Sequence, residues 1–145
     1  MSIWRQPITV EELNDYQQRT LVSHLGIRYI EIGDAHLTAD MPVDARTMQP
    51  AGILHGGASL ALAETLGSTA ANLVVDRKLK LCVGLEINAN HVRAMRKGMV
   101  TGKAQPLHIG GSTQVWEIRI SNDEMQLVCI SRITMAVLDR SSFSR

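Results

Sequence analysis

A charge excess of either sign is missing from this chain: 15 lysines and arginines stand against 14 aspartates and glutamates, a formal net charge of +1. A surface so balanced has no global field for nucleic acid or an anionic membrane, so any electrostatic recognition has to be local. Long apolar runs are missing too. Met1 to Val10 holds Arg5 and Pro7 but no stretch of signal-peptide length. Nowhere else do roughly 18 apolar residues run without a charged or polar break, so a soluble cytoplasmic protein is expected. Cysteine is scarce: Cys82 and Cys129 stand singly in apolar, strand-like runs without CxxC spacing. That pattern fits reduced, buried thiols and not a disulfide or zinc site. The five histidines show neither HxxxH nor HExxH spacing, and no metal is expected. Repeats and low-complexity segments are absent.

What is present fits one domain. A chain of 145 residues buries roughly 70% of the surface its unfolded form exposes. Its organising stretch is residues 48–76, where the Gly56-Gly57 pair opens a run of mostly good helix formers. Apart from Asn72 and one acid, Glu64, the run stays apolar or small on every side up to Asp76, as a buried helix does. An ionisable group there costs free energy unless it is paired or used.

Thr9 followed by Glu12 has the capping-box pattern, and the spacing after it predicts a helix from about Val10 to Val22. Gly26 to Ile32 and His36 to Val43 alternate around Gly33-Asp34 as a β-hairpin, which feeds the central helix through a loop from Asp44 to Leu54. Four strand-like runs follow, Lys80 to Val92, Met99 to Leu107, Thr113 to Ser121 and Gln126 to Leu138, separated by turn residues. The order predicts an α+β domain, an antiparallel meander and hairpin curled around one long helix. Residues 1–8 and 140–145 are expected to be flexible. A single sheet would leave edges uncovered, so at least a dimer is expected.

Gly56 and Gly57 put unshielded N–H groups at a helix start, where the orphan donors and the dipole favour a developing oxyanion. The plain alternative is a tight turn into the helix. Glu64 lies eight residues on, about 12 Å along the axis, whereas reacting atoms need to come within about 3.5 Å. One helix therefore cannot easily bring both to one carbonyl. Two helices running antiparallel across a dimer could, each giving its first turn to the other's Glu64. Ser68, four residues on, shares the Glu64 face and could hold a water, or simply be small enough for close packing. An ion pair of Glu64 with Arg28 or Arg119 is the structural alternative.

The segments Gln49-Pro50, Leu54-His55-Gly56-Gly57-Ala58-Ser59, Ala63-Glu64-Thr65-Leu66-Gly67-Ser68 and Val83 to His91 resemble the hotdog-fold acyl-CoA thioesterases. The resemblance runs from about Trp4 to Leu138. It is closest to the group holding the 1,4-dihydroxy-2-naphthoyl-CoA hydrolases of menaquinone synthesis and the proofreading thioesterases of enterobactin synthesis. It implies Glu64 as nucleophile or general base, the Gly56 N–H polarising the thioester carbonyl, Gln49 and His55 positioning substrate, and Ser68 positioning water. It implies CoA along Gly84, along His91, Val92, Arg93 and Ala94, and along His108, Ile109, Gly110, Gly111, Ser112 and Thr113. It further implies no cofactor beyond the CoA or aryl-carrier-protein arm of the substrate, and a homodimer at minimum, built into a homotetramer. Ala51 stands where these relatives usually carry an aromatic residue, which leaves the shape of the acyl pocket open.

Arg93, Arg96 and Lys97 form a local basic cluster suited to phosphates, or alternatively a solvated turn. Two other functions share the same residues. A hotdog dehydratase would recruit His55 beside the acid, and a non-catalytic acyl-thioester binding module would keep the basic cluster and leave Glu64 without chemistry.

Overall fold

The small residues of the central run let the backbone of the helix they form lie close to a sheet. In the computed structural model, which describes residues 1–143, α3 spans Gly56–Leu73 and buries Ala58, Ser59, Leu62, Ala63, Leu66, Gly67, Ala70, Ala71 and Leu73. Gly67 shows how close the approach is: a Cβ there would stand 2.5 Å from Cγ2 of Ile133, inside any tolerable contact.

Eight strands precede and follow this helix: β1 (Arg28–Ile32), β2 (Leu37–Pro42), β3 (Met48–Gln49), β4 (Ile53–Leu54), β5 (Lys80–His91), β6 (Met99–Ile109), β7 (Thr113–Asn122) and β8 (Leu127–Asp139). Six form an antiparallel sheet in the order β1-β2-β6-β7-β8-β5, packed against α3, while β3 and β4 make a separate small hairpin. The expected α+β arrangement is present, with one correction to strand order. Only β6 to β8 form a meander; β5 lies beyond β8, on the far edge. The helix carries the chain across the face of the sheet before β5 begins, and alternation within a strand cannot reveal its neighbour. Among the described residues both β1 and β5 are left with one unpaired edge.

The predicted helix of residues 10–22 is two helices. α1 (Val10–Tyr16) has the expected capping box, with Thr9 Oγ1 accepting from the Glu12 N–H and Glu12 Oε2 from the Thr9 N–H. Arg19 then takes a left-handed conformation, φ 62°, which breaks the helix, and Thr20 caps a second, α2 (Leu21–His24). The predicted loop of residues 44–54 contains β3 and β4. Gly52 makes their turn with φ +74°, a conformation that favours glycine. The N-terminal residues expected to be flexible are tied down: Ile3 N–H donates to the Asp34 carbonyl and Trp4 Nε1 to that of Gly33, with the Trp4 ring stacked on Trp116. At the other end Arg140–Phe143 forms a 3-10 turn, and residues 144–145 lie outside the described residues. Among the described residues no helix is long and apolar enough to cross a membrane.

Candidate active site

At the first turn of α3, His55 is the N-cap, and its Nδ1 accepts from the Gly57 N–H at 2.8 Å. An acceptor Nδ1 puts the ring proton of the neutral imidazole on Nε2. The His55 carbonyl takes the Ala58 and Ser59 N–H groups. This leaves the Gly56 N–H without an acceptor among the described residues, at the positive end of an 18-residue helix. Beside it, a Cβ on Gly56 would stand 3.0 Å from Nε2 of His91. Gly56, Gln49, His91, Val92, Arg93 and Ala94 share one open groove. Gln49 is held in the β3–β4 turn, where its Oε1 accepts from the Ala51 N–H at 2.6 Å.

Glu64 occupies a different surround. Its Oε1 is 2.9 Å from where a Cβ on Gly84 would be, so the missing side chain of Gly84 makes room for the carboxylate. Glu64 has no ion pair among the described residues. The anticipated partner Arg119 is bound to Glu117, and Arg28 forms no ion pair either. Partial burial, with no cation to offset it, raises the Glu64 pKa above the ordinary carboxylate value. Such a group contributes no stabilising ion pair, which makes it a candidate for chemistry.

Asn72 fixes this contact, and the sequence reading gave it no role. Its amide donates to the Cys82 carbonyl and accepts from the Cys82 N–H, pinning β5 to α3 two residues before Gly84. A bulge between Gly84 and Glu86 then turns the strand beside the carboxylate. The available signal was that Asn72 is the other polar interruption of the buried helix.

The residues expected to line CoA fall into two places. Thr113 is level with Ala136 and Ala136 with Val83, so the Gly110-Gly111-Ser112 turn sits at the Gly84 end of the sheet, with His108 and Ile109 closing β6 beside it. His91 pairs with Cys129, far along β5 from Gly84, and Val92, Arg93 and Ala94 follow it. Gly84 and His91 are seven residues apart on an extended strand, roughly 20 Å. One chain therefore holds Glu64, Gly84 and the Gly110 turn as one group. Gln49, His55, Gly56 and His91 to Ala94 form the other. Among the described residues no three metal-ligating side chains are grouped.

A glycine-started helix with a lone acid on its third turn, packed across an antiparallel sheet, defines a hotdog thioesterase. Residues 51–129 match the thioesterase superfamily, and the chain belongs to that family of thioester hydrolases. Over 136 residues it is 52% identical to the 1,4-dihydroxy-2-naphthoyl-CoA hydrolase of Escherichia coli, covering 94% of this chain and 99% of that one. It is also 52% identical to the proofreading thioesterase EntH of Cronobacter turicensis, covering 94% and 98%. The crystal structure of a mutant thioesterase from Pseudomonas aeruginosa matches with a TM-score of 0.94 at 51% identity, covering 95% of this chain and 99% of that one.

Proposed function

We propose that this thioesterase hydrolyses an aromatic acyl thioester of CoA or of an aryl carrier protein, at sites shared between two subunits. The observation that carries the reading is the unpaired Glu64 carboxylate seated against Gly84, while the unpartnered Gly56 N–H lies at the other end of the same strand. The aromatic class is supported by the relative named for 1,4-dihydroxy-2-naphthoyl-CoA hydrolysis.

The unpaired edge of β5 supports the shared site. Antiparallel pairing of two such edges, about a two-fold axis between Ile87 and Asn88, sets Gly84 opposite the partner's His91. Glu64 then faces the partner's Gly56. The partner's Gly56 N–H polarises the thioester carbonyl, whose oxygen gains negative charge as the carbon is attacked. Glu64 supplies the attack in one of two ways. As nucleophile it forms a mixed anhydride, expels the thiolate and is regenerated by water. As general base it takes a proton from water, which adds directly. Both routes consume one water and release acid and thiol. Ser68, one turn from Glu64, positions the water, and His55 and Gln49 orient the substrate at the partner's helix start. His91 to Ala94, with Gly84 and the Gly110 turn, hold the CoA arm, its phosphates beside Arg93, Arg96 and Lys97. A pair of such dimers forms the tetramer.

Glu64→Gln keeps the shape and removes the charge. It is expected to lower kcat by about 10³-fold or more, with sedimentation mass unchanged. Near wild-type turnover by this variant would remove Glu64 from the chemistry. Release of water with no free thiol from a 3-hydroxyacyl thioester would favour a dehydratase.

A further inference from the structure

We infer that the groove beside Ser68 receives the acyl end of the substrate, and that Arg77 and Arg140 there select an acyl group bearing a carboxylate. This rests on the reading of Glu64 as the catalytic acid and goes beyond it by naming what lies on the far side of the scissile carbonyl. The groove measures about 350 Å³, within the range of small-molecule sites. It begins at Ser68, one helical turn or about 6 Å from Glu64 along the axis. Leu13 and Leu81 supply apolar wall, and Arg77 and Arg140 stand at its rim, with no aspartate or glutamate in the lining. The larger groove between α1 and β1, by contrast, carries Glu11 and Asp15.

Three polar side chains of this groove are already engaged, Gln17 through the Tyr29 hydroxyl at 3.5 Å. The Thr69 hydroxyl is bonded to that of Tyr29 at 2.7 Å, and the Asn72 amide to Ser68 and Cys82. Ser68 Oγ, the Tyr16 hydroxyl and the two guanidinium groups are left for a ligand among the described residues. Arg77 lies over the Tyr16 ring, 5.9 Å from its centroid, which holds it in place. The Arg140 backbone is anchored by its N–H to the Leu79 carbonyl. Neither arginine is in an ion pair among the described residues. The neighbouring Asp139 is bonded to Lys80 at 2.7 Å, and Asp76 Oδ1 accepts from the Lys78 N–H. Two uncompensated guanidiniums above an apolar wall fit an acyl body that ends in a carboxylate, which each can bind through paired N–H donors.

The test compares benzoyl-CoA with 4-carboxybenzoyl-CoA, which differ only in that group, using wild-type protein and the Arg77→Gln, Arg140→Gln and Arg77→Lys variants. Wild-type kcat/KM is expected to favour the carboxylated substrate. Each Arg→Gln change should lower that preference about tenfold, the loss of one charged hydrogen bond, and Arg77→Lys should restore part of it. Equal wild-type rates on the two thioesters, or variants that slow both equally, would overturn the assignment of the two arginines alone. Wild-type protein that cleaves neither would overturn this assignment of the groove, whereas Glu64→Gln protein that cleaves either at the wild-type rate would overturn the Glu64 reading and this one with it.

Discussion

The first turn of α3 and its third turn are built from the same kinds of small residue, yet they differ in every property that matters to chemistry. The first turn is a donor site: an unpartnered Gly56 N–H, a His55 cap, His91 beside it and Arg93 in the same groove. The third turn is an acceptor site, one half-buried carboxylate with no cation on it. A thioester needs both at one carbonyl. Eight residues of helix hold them about 12 Å apart; on the proposed reading each turn is half of an active site, and the edge strand β5 is where two halves would join. The two halves meet β5 in mirrored fashion: at the first turn the glycine is on the helix and the side chain on the strand, and at the third turn the reverse.

The largest effect separating the halves comes from the carboxylate, the loss of about 10³-fold or more in kcat on Glu64→Gln argued above. The donor half is expected to be weaker by comparison. Gly56→Pro removes the N–H itself at a position where a helix accepts proline, and His55 already has the extended backbone, φ −69° and ψ 131°, that a following proline requires. A fall in kcat of about 10²-fold, with the helical circular dichroism retained, is the expected result. Turnover that did not change would take the Gly56 N–H out of the mechanism.

Smaller still is the effect of Gly84→Ala. Its methyl would press on Glu64 Oε1 from 2.9 Å, and the end of a flexible side chain can move aside. Stability should hold while kcat drops about tenfold through misplacement of the carboxylate. The smallest effect concerns pH. Because burial raises the Glu64 pKa, the acid limb of the kcat/KM profile should be shifted upward from the ordinary glutamate value. In stability the sign is reversed. Above the raised folded value the ionised carboxylate bears a desolvation cost that the unfolded one does not, so Glu64→Gln should raise Tm there. That gain should shrink as pH falls through the raised folded value and vanish below the unfolded one.

Much of this was readable from the residues. The buried helix, its isolated acid and the separation of Gly56 from Glu64 follow from composition and rise per residue, and the capping box at Thr9 and the hairpin around Gly33 follow from local chemistry. What was not readable is long-range. Nothing in Lys80 to Val92 says that it pairs with β8 and skips β6, because alternation fixes which face a side chain takes and not which strand lies alongside. Asn72 could be seen as an exception in an apolar run, but its bond to Cys82 exists only once α3 and β5 are packed. The break at Arg19 was hidden for a different reason, since a left-handed arginine leaves no sequence mark. Arg77 and Arg140 are 63 residues apart in the chain and come to line one groove only in the folded chain.

The central claim, that Glu64 of one subunit works with Gly56 of its partner, is tested most directly by mixing two inactive proteins. Glu64→Ala and Gly56→Pro chains carrying different affinity tags are co-expressed, and assemblies holding both are isolated and assayed for thiol release. Shared sites predict that activity returns to roughly a quarter to a half of wild type, because each mixed dimer contains one site with both groups intact. Activity no higher than that of the two parent variants would contradict it and place both groups in a site within one chain.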